Sequence, residues 1–342
     1  MGVDVGVLAV REEIALDALK GKTLAIDGNN ALYQFLASIR QPDGTPLMDA
    51  KGRVTSHLSG LFYRTARLLD AGVKPAYVFD GTPPHLKAKT IAERREIRSA
   101  AAEKWTEALR QGDLAGARTA AGASSRLTRQ MVEEARTLLT LMGLPVVQAP
   151  AEGEAQAAYM CSRGDVFAAA SQDYDALLLG APRLVRNLTL SGRRKLPGRN
   201  DYAEVAPELV DLEKTLSANG ITREQLVWMG VLIGTDFNEG VNGIGPKKAL
   251  RLVKECSTLD EAVAKSGGEF EVEPREVAAL FLSPAVATEY SLAFNAPDID
   301  GLLALLSDGH DFSRERVEGT AKKISGKMAD CAQQRSLDGW FG

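Results

Sequence analysis

Acidic residues close the apolar runs of this chain, and that placement constrains the fold more than any other feature. Thr23–Ile26 ends at Asp27, and Ala76–Phe79 ends at Asp80. Val146–Gln148 leads through Ala149-Pro150 to Glu152 and Glu154, and Phe167–Ala170 leads to Asp173 and Asp175. Leu184–Leu188 is a fifth short run of the same kind. Between the runs, Ala31–Ile39, Leu58–Leu69 and Met131–Met142 carry apolar residues at helical period. Strands alternating with helices predict an α/β fold, a central and mostly parallel twisted sheet flanked by helices. Ligands of such sheets bind outside the carboxyl ends of the strands. Four strands would therefore deliver six carboxylates to one edge.

Like charges gathered that closely repel, and burying them uncompensated is costly. Cations are the natural remedy. With only oxygen donors on offer, the hard ions Mg²⁺ or Mn²⁺ fit. Six carboxylates suffice for two ions, and a pair about 4 Å apart can flank a phosphodiester. A single Asp at a strand end is commonly a helix cap or a turn residue. The pairs Glu152/Glu154 and Asp173/Asp175, each spaced i,i+2, are not explained that way.

The net charge of −4 argues against a uniformly basic nucleic-acid-binding surface. Acids set aside for metal, and basic residues gathered on one face, reconcile the two. Basic clusters do occur, at Lys87/Lys89/Arg94/Arg95/Arg98, Arg193/Arg194/Lys195/Arg199 and Lys322/Lys323/Lys327. Residues 82–130 are charged, Ala-rich and long for a connection between strands, and such connections tend to be functional or mobile. Cys161, Cys256 and Cys331 are too scattered for a disulfide scaffold, and His57, His85 and His310 have no zinc-ligand spacing. No apolar run approaches the roughly 20 residues of a membrane helix. The first residues lack the layout of a secretory signal. No membrane association and a cytoplasmic location are expected.

Beyond residue 208 the strand signal fades, and Leu209–Leu216, Leu259–Val263 and Gly301–Leu306 read as short helices. Gly240-Val241-Asn242-Gly243-Ile244-Gly245-Pro246-Lys247-Lys248 lies between two more, Gln225–Ile233 and Pro246–Lys254. The glycines are off register for a dinucleotide fingerprint, and Pro246 stands where a P-loop needs lysine. An ordinary helix connection is one reading. The other is a hairpin whose free N–H groups, with Lys247 and Lys248 nearby, hold a DNA phosphate.

The motifs Ile26-Asp27-Gly28-Asn29, Val78-Phe79-Asp80-Gly81-x-Pro83-Pro84, Ala149-Pro150-x-Glu152-x-Glu154-Ala155, Asp173-Tyr174-Asp175-Ala176 and Gly234-Thr235-Asp236-Phe237 together resemble one family. It is the flap endonucleases of the XPG-like structure-specific 5′ nuclease superfamily, in their archaeal form, and the likeness covers nearly the whole chain. The resemblance implies a PIN-like 5′ nuclease fold with a helical arch and a helical C-terminal DNA-binding part. It implies metal ligands at Asp27, Asp80, Glu152, Glu154, Asp173, Asp175 and Asp236, binding two Mg²⁺ per subunit, with Mn²⁺ able to substitute. Lys87 and Arg94 match the basic residues that contact the scissile phosphate. Tyr33 matches the aromatic on which a base stacks, although its place in an apolar helix also suits a core residue. Arg40 and Arg64 match DNA-contacting arginines, and Gly2 would lie near the site. Gly243, Gly245, Lys247 and Lys248 fall on the phosphate-holding hairpin.

The implied organisation is an N-terminal nuclease region (1–98), an arch (82–130), an internal nuclease region (116–258) that includes the helix-hairpin-helix-like turn (225–254), and a C-terminal helical part (259–333). Residues 334–342 form a tail. There Gln334, Leu337, Trp340 and Phe341 fit the motif Gln-x-x-aliphatic-x-x-aromatic-aromatic that docks on the PCNA sliding clamp, the alternative being a tail packed on its own core. The implied activity is a 5′ flap endonuclease with 5′–3′ exonuclease activity, acting on branched DNA as a monomer in Okazaki fragment maturation and repair. A related 5′ exonuclease, a bubble- or junction-nicking nuclease, and a clamp-tethered non-catalytic DNA-binding protein are the alternatives.

Overall fold

Successive side chains of a strand point to opposite faces of its sheet, and the strands of this chain use both faces for burial. In the computed structural model, residues 3–189, 192–195 and 202–338 are described. Strand β1 (Arg11–Glu13) is followed by β2 (Thr23–Asp27), α1 (Gly28–Ser38), α2 (Ser56–Asp70) and β3 (Lys74–Phe79). Next come α3 (Ala88–Arg110), α4 (Leu114–Ala123), α5 (Arg129–Leu141), β4 (Val146–Gln148), α6 (Gly153–Ser162), β5 (Ala168–Ala170), α7 (Asp175–Leu178) and β6 (Arg183–Arg186). The hairpin β7 (Gly192–Lys195) and β8 (Tyr202–Val205) precedes β9 (Glu208–Asp211) and α8 (Leu212–Asn219). The main sheet has the order β1-β9-β6-β5-β2-β3-β4. Its core from β6 to β4 is parallel, and β9 and β1 add antiparallel strands at one edge.

On one face Leu24, Ile26, Tyr77, Phe79, Ala168, Ala170 and Val185 meet Leu32, Phe35, Leu61, Phe62 and Leu138 of α1, α2 and α5. On the other, Ala25, Val78, Ala169 and Leu184 meet Ala157, Ala158 and Met160 of α6 and Leu177 and Leu178 of α7. A strand buried on both sides has no polar face, which is why these runs read as continuously apolar.

The remaining helices are α9 (Arg223–Ile233), α10 (Pro246–Lys254), α11 (Leu259–Ser266), α12 (Pro274–Leu282), α13 (Ile299–Leu302) and α14 (Arg314–Asp338), with the two-residue strands β10 (Gly234–Thr235) and β11 (Asn238–Glu239) after α9. Helices α9, α10 and α11 close a third apolar cluster around Met229, Leu232, Ala249, Val253 and Ala262. Buried polar groups pin the chain just before α14 to the body. His310 Nδ1 lies 3.2 Å from Asp49 Oδ2, and His310 Nε2 lies 3.8 Å from Glu134 Oε1.

Two readings of the sequence need correction. Leu209–Leu216 is not one helix: Glu208–Asp211 is a strand between β1 and β6, and Asp211 then caps α8 by accepting the Lys214 N–H. Leu209 packs against one core and Val210 enters the other, an alternation too short to stand out beside the helical spacing that follows. Strand β1 was not expected at all, because every one of its residues is exposed and no hydrophobic pattern marks it. Gly301–Leu306 holds only the end of α13, and the chain continues as a π-helical stretch over Leu303–Asp308.

Candidate metal centre and nucleic-acid interface

The carboxyl edge of the parallel strands collects the acids. Asp27 ends β2 and caps α1, its Oδ1 accepting the Asn30 N–H at 2.9 Å. Asp80 follows β3 and accepts the Gly153 N–H at 2.7 Å. A Cβ at position 153 would stand 2.9 Å from Asp80 Oδ1, so glycine there keeps α6 close to the acid. Glu152 is the N-cap of α6 and Glu154 lies in its first turn, where the unpaired N–H groups and the helix dipole favour negative charge. Ser171 donates to Glu154. Asn30 Nδ2 donates to Asp173 Oδ2 at 3.1 Å, and the Val3 N–H donates to Asp175 Oδ1 at 2.7 Å. Asp236 arrives from the helical part, just after β10. Strand-end reasoning misses it because its strand is two residues long and follows a helix.

The electrostatics show how tightly these groups are gathered. Burial, then the neighbouring Asp80 and Asp173, raise Asp27 to about 8. Burial, then Asp173 and Asp236, raise Asp175 to about 7. Glu154 is pushed well above its ordinary value by burial and by Asp27, Asp175 and Asp173, and burial raises Asp80 and Glu152 as well. The acids thus perturb one another across strands far apart in sequence. Two cations answer them. The Lys87 ammonium contacts Glu152 and lies 3.5 Å from Asp236 Oδ2, and Arg94 pairs with Asp236. Burial alone would depress the Lys87 pKa, but Glu152, Asp236 and Asp80 together outweigh it and raise it.

The donor set is all carboxylate, which suits a hard divalent ion. Its like charges cannot all ionise without a cation among them. Among the described residues, no three His, Cys, Asp or Glu side chains already stand as a ready-made metal cage. Instead Lys87 and Arg94 reach in and pair with the acids. Because several acids favour their protonated form, metal binding should release protons. Calorimetric titration with Mg²⁺ at pH 7, repeated in buffers of different ionisation enthalpy, is expected to show net proton release. The release should diminish above pH 8, beyond the values to which Asp27 and Asp175 are raised.

Helices α3 and α4 arise from residues 82–130, and the start of α3 stands over this edge. Thr90 Oγ1 donates to the Asp236 carbonyl at 2.8 Å, and Lys89 pairs with Glu239 at 2.6 Å and Glu271 at 2.7 Å. These contacts tie the base of α3 to the helical part. A pocket beneath is lined by Lys87, Glu152, Glu154, Asp175, Asp236 and Phe237.

Other residues marked in the sequence lie elsewhere. Tyr33 is half-buried, not core, and the Arg98 guanidinium sits 4.8 Å over its ring. Arg40 donates to the carbonyls of Leu36 and Gly44 at 2.7 Å each and to Ser125 Oγ at 2.8 Å, which commits it to bracing its own loop. Arg64 donates to the Thr189 carbonyl and stacks 5.6 Å over Phe35. Gly243 takes a φ of +75°, a conformation that favours glycine, and Gly245 caps α10, where Pro246 holds the first position. Lys247 and Lys248 are exposed beside that turn. Gln334 and Leu337 fall within α14, while Gly2, Trp340 and Phe341 lie outside the described residues.

An acid-crowded parallel sheet roofed by a basic helical segment is the setting of the XPG-type nucleases. The XPG N-terminal domain matches residues 4–101, and the XPG I-region matches residues 143–236. The chain is 54% identical to flap endonuclease 1 of Staphylothermus marinus, over 95% of this chain and 94% of that protein. It is 52% identical to flap endonuclease 1 of Pyrococcus furiosus, over 100% and 99%. The solved flap endonuclease-1 of Methanococcus jannaschii superposes with a TM-score of 0.77 at 43% identity, covering 96% of this chain and 99% of that one. The catalytic core of Rad2, solved in complex with DNA substrate, shares the fold with a TM-score of 0.68 at 22% identity. The chain belongs to the flap endonuclease 1 family. It is a nuclease, a hydrolase of phosphodiester bonds, from a metal-dependent family that serves DNA replication and repair.

Proposed function

We propose that the protein cuts DNA where a single-stranded 5′ flap meets duplex, with two Mg²⁺ ions held by Asp27, Asp80, Glu152, Glu154, Asp173, Asp175 and Asp236. The observation that carries this reading is the convergence of acids from separate strands on one pocket, where Lys87 contacts Glu152 and lies 3.5 Å from Asp236, and Arg94 pairs with Asp236. Bound divalent ions supply Lewis acidity at the scissile phosphate. Lys87 and Arg94 would turn from the carboxylates to the phosphate oxygens and offset the charge that develops there. No side chain is needed as nucleophile. Cys161 is buried, its Sγ faces the Phe167 carbonyl at 3.5 Å, and burial pushes the thiol up.

The segment 82–130 would act as the arch through which the flap passes, with Tyr33 stacking a base and Arg40, Arg64 and the N-terminal Gly2 close to the DNA. The exposed turn with Gly243, Gly245, Lys247 and Lys248 would hold a duplex phosphate away from the cut, so binding should weaken with salt and ignore sequence. Comparing Mg²⁺-dependent cleavage of labelled flap, nicked and bubble substrates tests the reading. Preference for the flap supports it, and absence of any cut product would favour a non-catalytic scaffold.

The tail motif at Gln334, Leu337, Trp340 and Phe341 supports docking of a monomer on the PCNA clamp in the cytoplasm. Removing residues 334–342 is expected to spare basal cutting and to lose stimulation by the clamp. Equal stimulation of the truncated chain would refute that role.

A further inference from the structure

A line of polar side chains runs beside the acid pocket without entering it. Asn30 Nδ2 donates to Asp173 Oδ2 at 3.1 Å. One turn later on α1, Gln34 Nε2 donates to Asn30 Oδ1 at 2.7 Å. Thr189 Oγ1 donates to Gln34 Oε1 at 2.7 Å, and the Thr189 carbonyl accepts from Arg64. The small cleft that holds this line is lined by Ile26, Ala31, Ala170, Val185 and Leu188 and, on its polar side, by Asp27, Ser171 and Gln172.

The polarity of the line is forced. A carboxylate that binds a cation is ionised and can only accept. Asn30 must therefore turn its NH₂ to Asp173, which leaves its carbonyl facing Gln34. Gln34 must answer with NH₂, so its own carbonyl needs a donor, and the Thr189 hydroxyl is one. Reversing either amide sets like against like. The backbone N–H of Asn30 also donates to Asp27 Oδ1, the N-cap of α1, so Asn30 contacts two of the acids.

We propose that Gln34 is a positioning residue of the metal centre. It fixes the amide of Asn30, and through it the direction in which Asp173 presents its oxygens, while Thr189 and Arg64 hold Gln34 from behind. This inference rests on Asp173 being a metal ligand. Partners one step removed from a metal typically change its affinity 10- to 100-fold when lost.

The test uses the full chain carrying Gln34→Met, close in shape but without the amide, and separately Thr189→Val. Mn²⁺ binding is read by electron paramagnetic resonance. The Gln34→Met dissociation constant is expected to rise about tenfold, and Thr189→Val to move it less in the same direction. The Mg²⁺ concentration for half-maximal cleavage should rise in parallel, with the rate at saturating Mg²⁺ recovering to within about threefold of wild type. Flap affinity in Ca²⁺ should be unchanged. An Mn²⁺ constant within about twofold of wild type for the folded Gln34→Met variant overturns the proposal, a part in packing alone leaving metal affinity unmoved. If that variant fails to fold, an unmoved Mn²⁺ constant in Thr189→Val overturns the proposal in its place. A wild-type protein that binds no Mn²⁺ would instead sink the metal-centre reading itself.

Discussion

Asp175→Asn is expected to abolish flap cleavage and, in metal-free buffer, to make the protein more stable. The two effects share one cause. Asp175 is buried beside Asp173 and Asp236, and its pKa is raised from 3.8 to about 7. A folded-state value above the unfolded one means that folding favours the protonated acid. The cost of ionisation is therefore absent below the unfolded value, grows as pH rises and is complete above pH 7. Asparagine escapes that cost and can still accept the Val3 N–H. Each pKa unit corresponds to about 1.4 kcal/mol, so even half of the shift is worth about 2 kcal/mol at pH 8. Melting in EDTA should rise by a few degrees at pH 8, and the gap should narrow toward pH 5. Cleavage should fall about a thousandfold or more, because a lost metal ligand costs several kcal/mol of transition-state stabilisation. Flap binding in Ca²⁺ should persist. Turnover near the wild-type rate would remove Asp175 from the metal centre.

Lys87→Met should slow single-turnover cleavage by about 10²- to 10³-fold, the usual cost of losing one preorganised charge donor. Lys87 lies half-buried between Glu152 and Asp236, and those acids keep it charged against the effect of burial. Methionine retains the stem and its packing near Phe237 but removes the ammonium. Flap affinity should change little, because one phosphate contact among many is lost. A rate within about threefold of wild type would mean that Lys87 serves only to neutralise the metal-free site.

Much of this architecture is legible in the sequence for a simple reason. Strands buried on both faces must be apolar throughout, so β2, β3 and β5 announce themselves, the edge strand β4 shows as Val146-Val147, and the acid after each is conspicuous. What the pattern hides is whatever lacks burial or length. Strand β1 is wholly exposed, β9 buries only Val210 fully, and β10, which delivers Asp236, is two residues long. The motif resemblance supplied Asp236 where periodicity was silent. Asn30 and Gln34 were passed over because amides on a helix next to an apolar face look like ordinary surface residues. Only the third dimension brings Asp173 and Thr189 beside them. Arg40 carries contacts that the sequence does not announce, its guanidinium donating to the Leu36 and Gly44 carbonyls and to Ser125 Oγ.

The pocket's walls are drawn from Pro84 to Ala285, with Asp236 and Phe281 on the helical side. A chain still emerging from the ribosome can complete the sheet and most of its acids, yet it lacks the far wall. Cutting power therefore arrives only once Asp236 and the far wall have been made. A product ending before residue 236 would lack Asp236 and the far wall of the pocket and is expected not to cut.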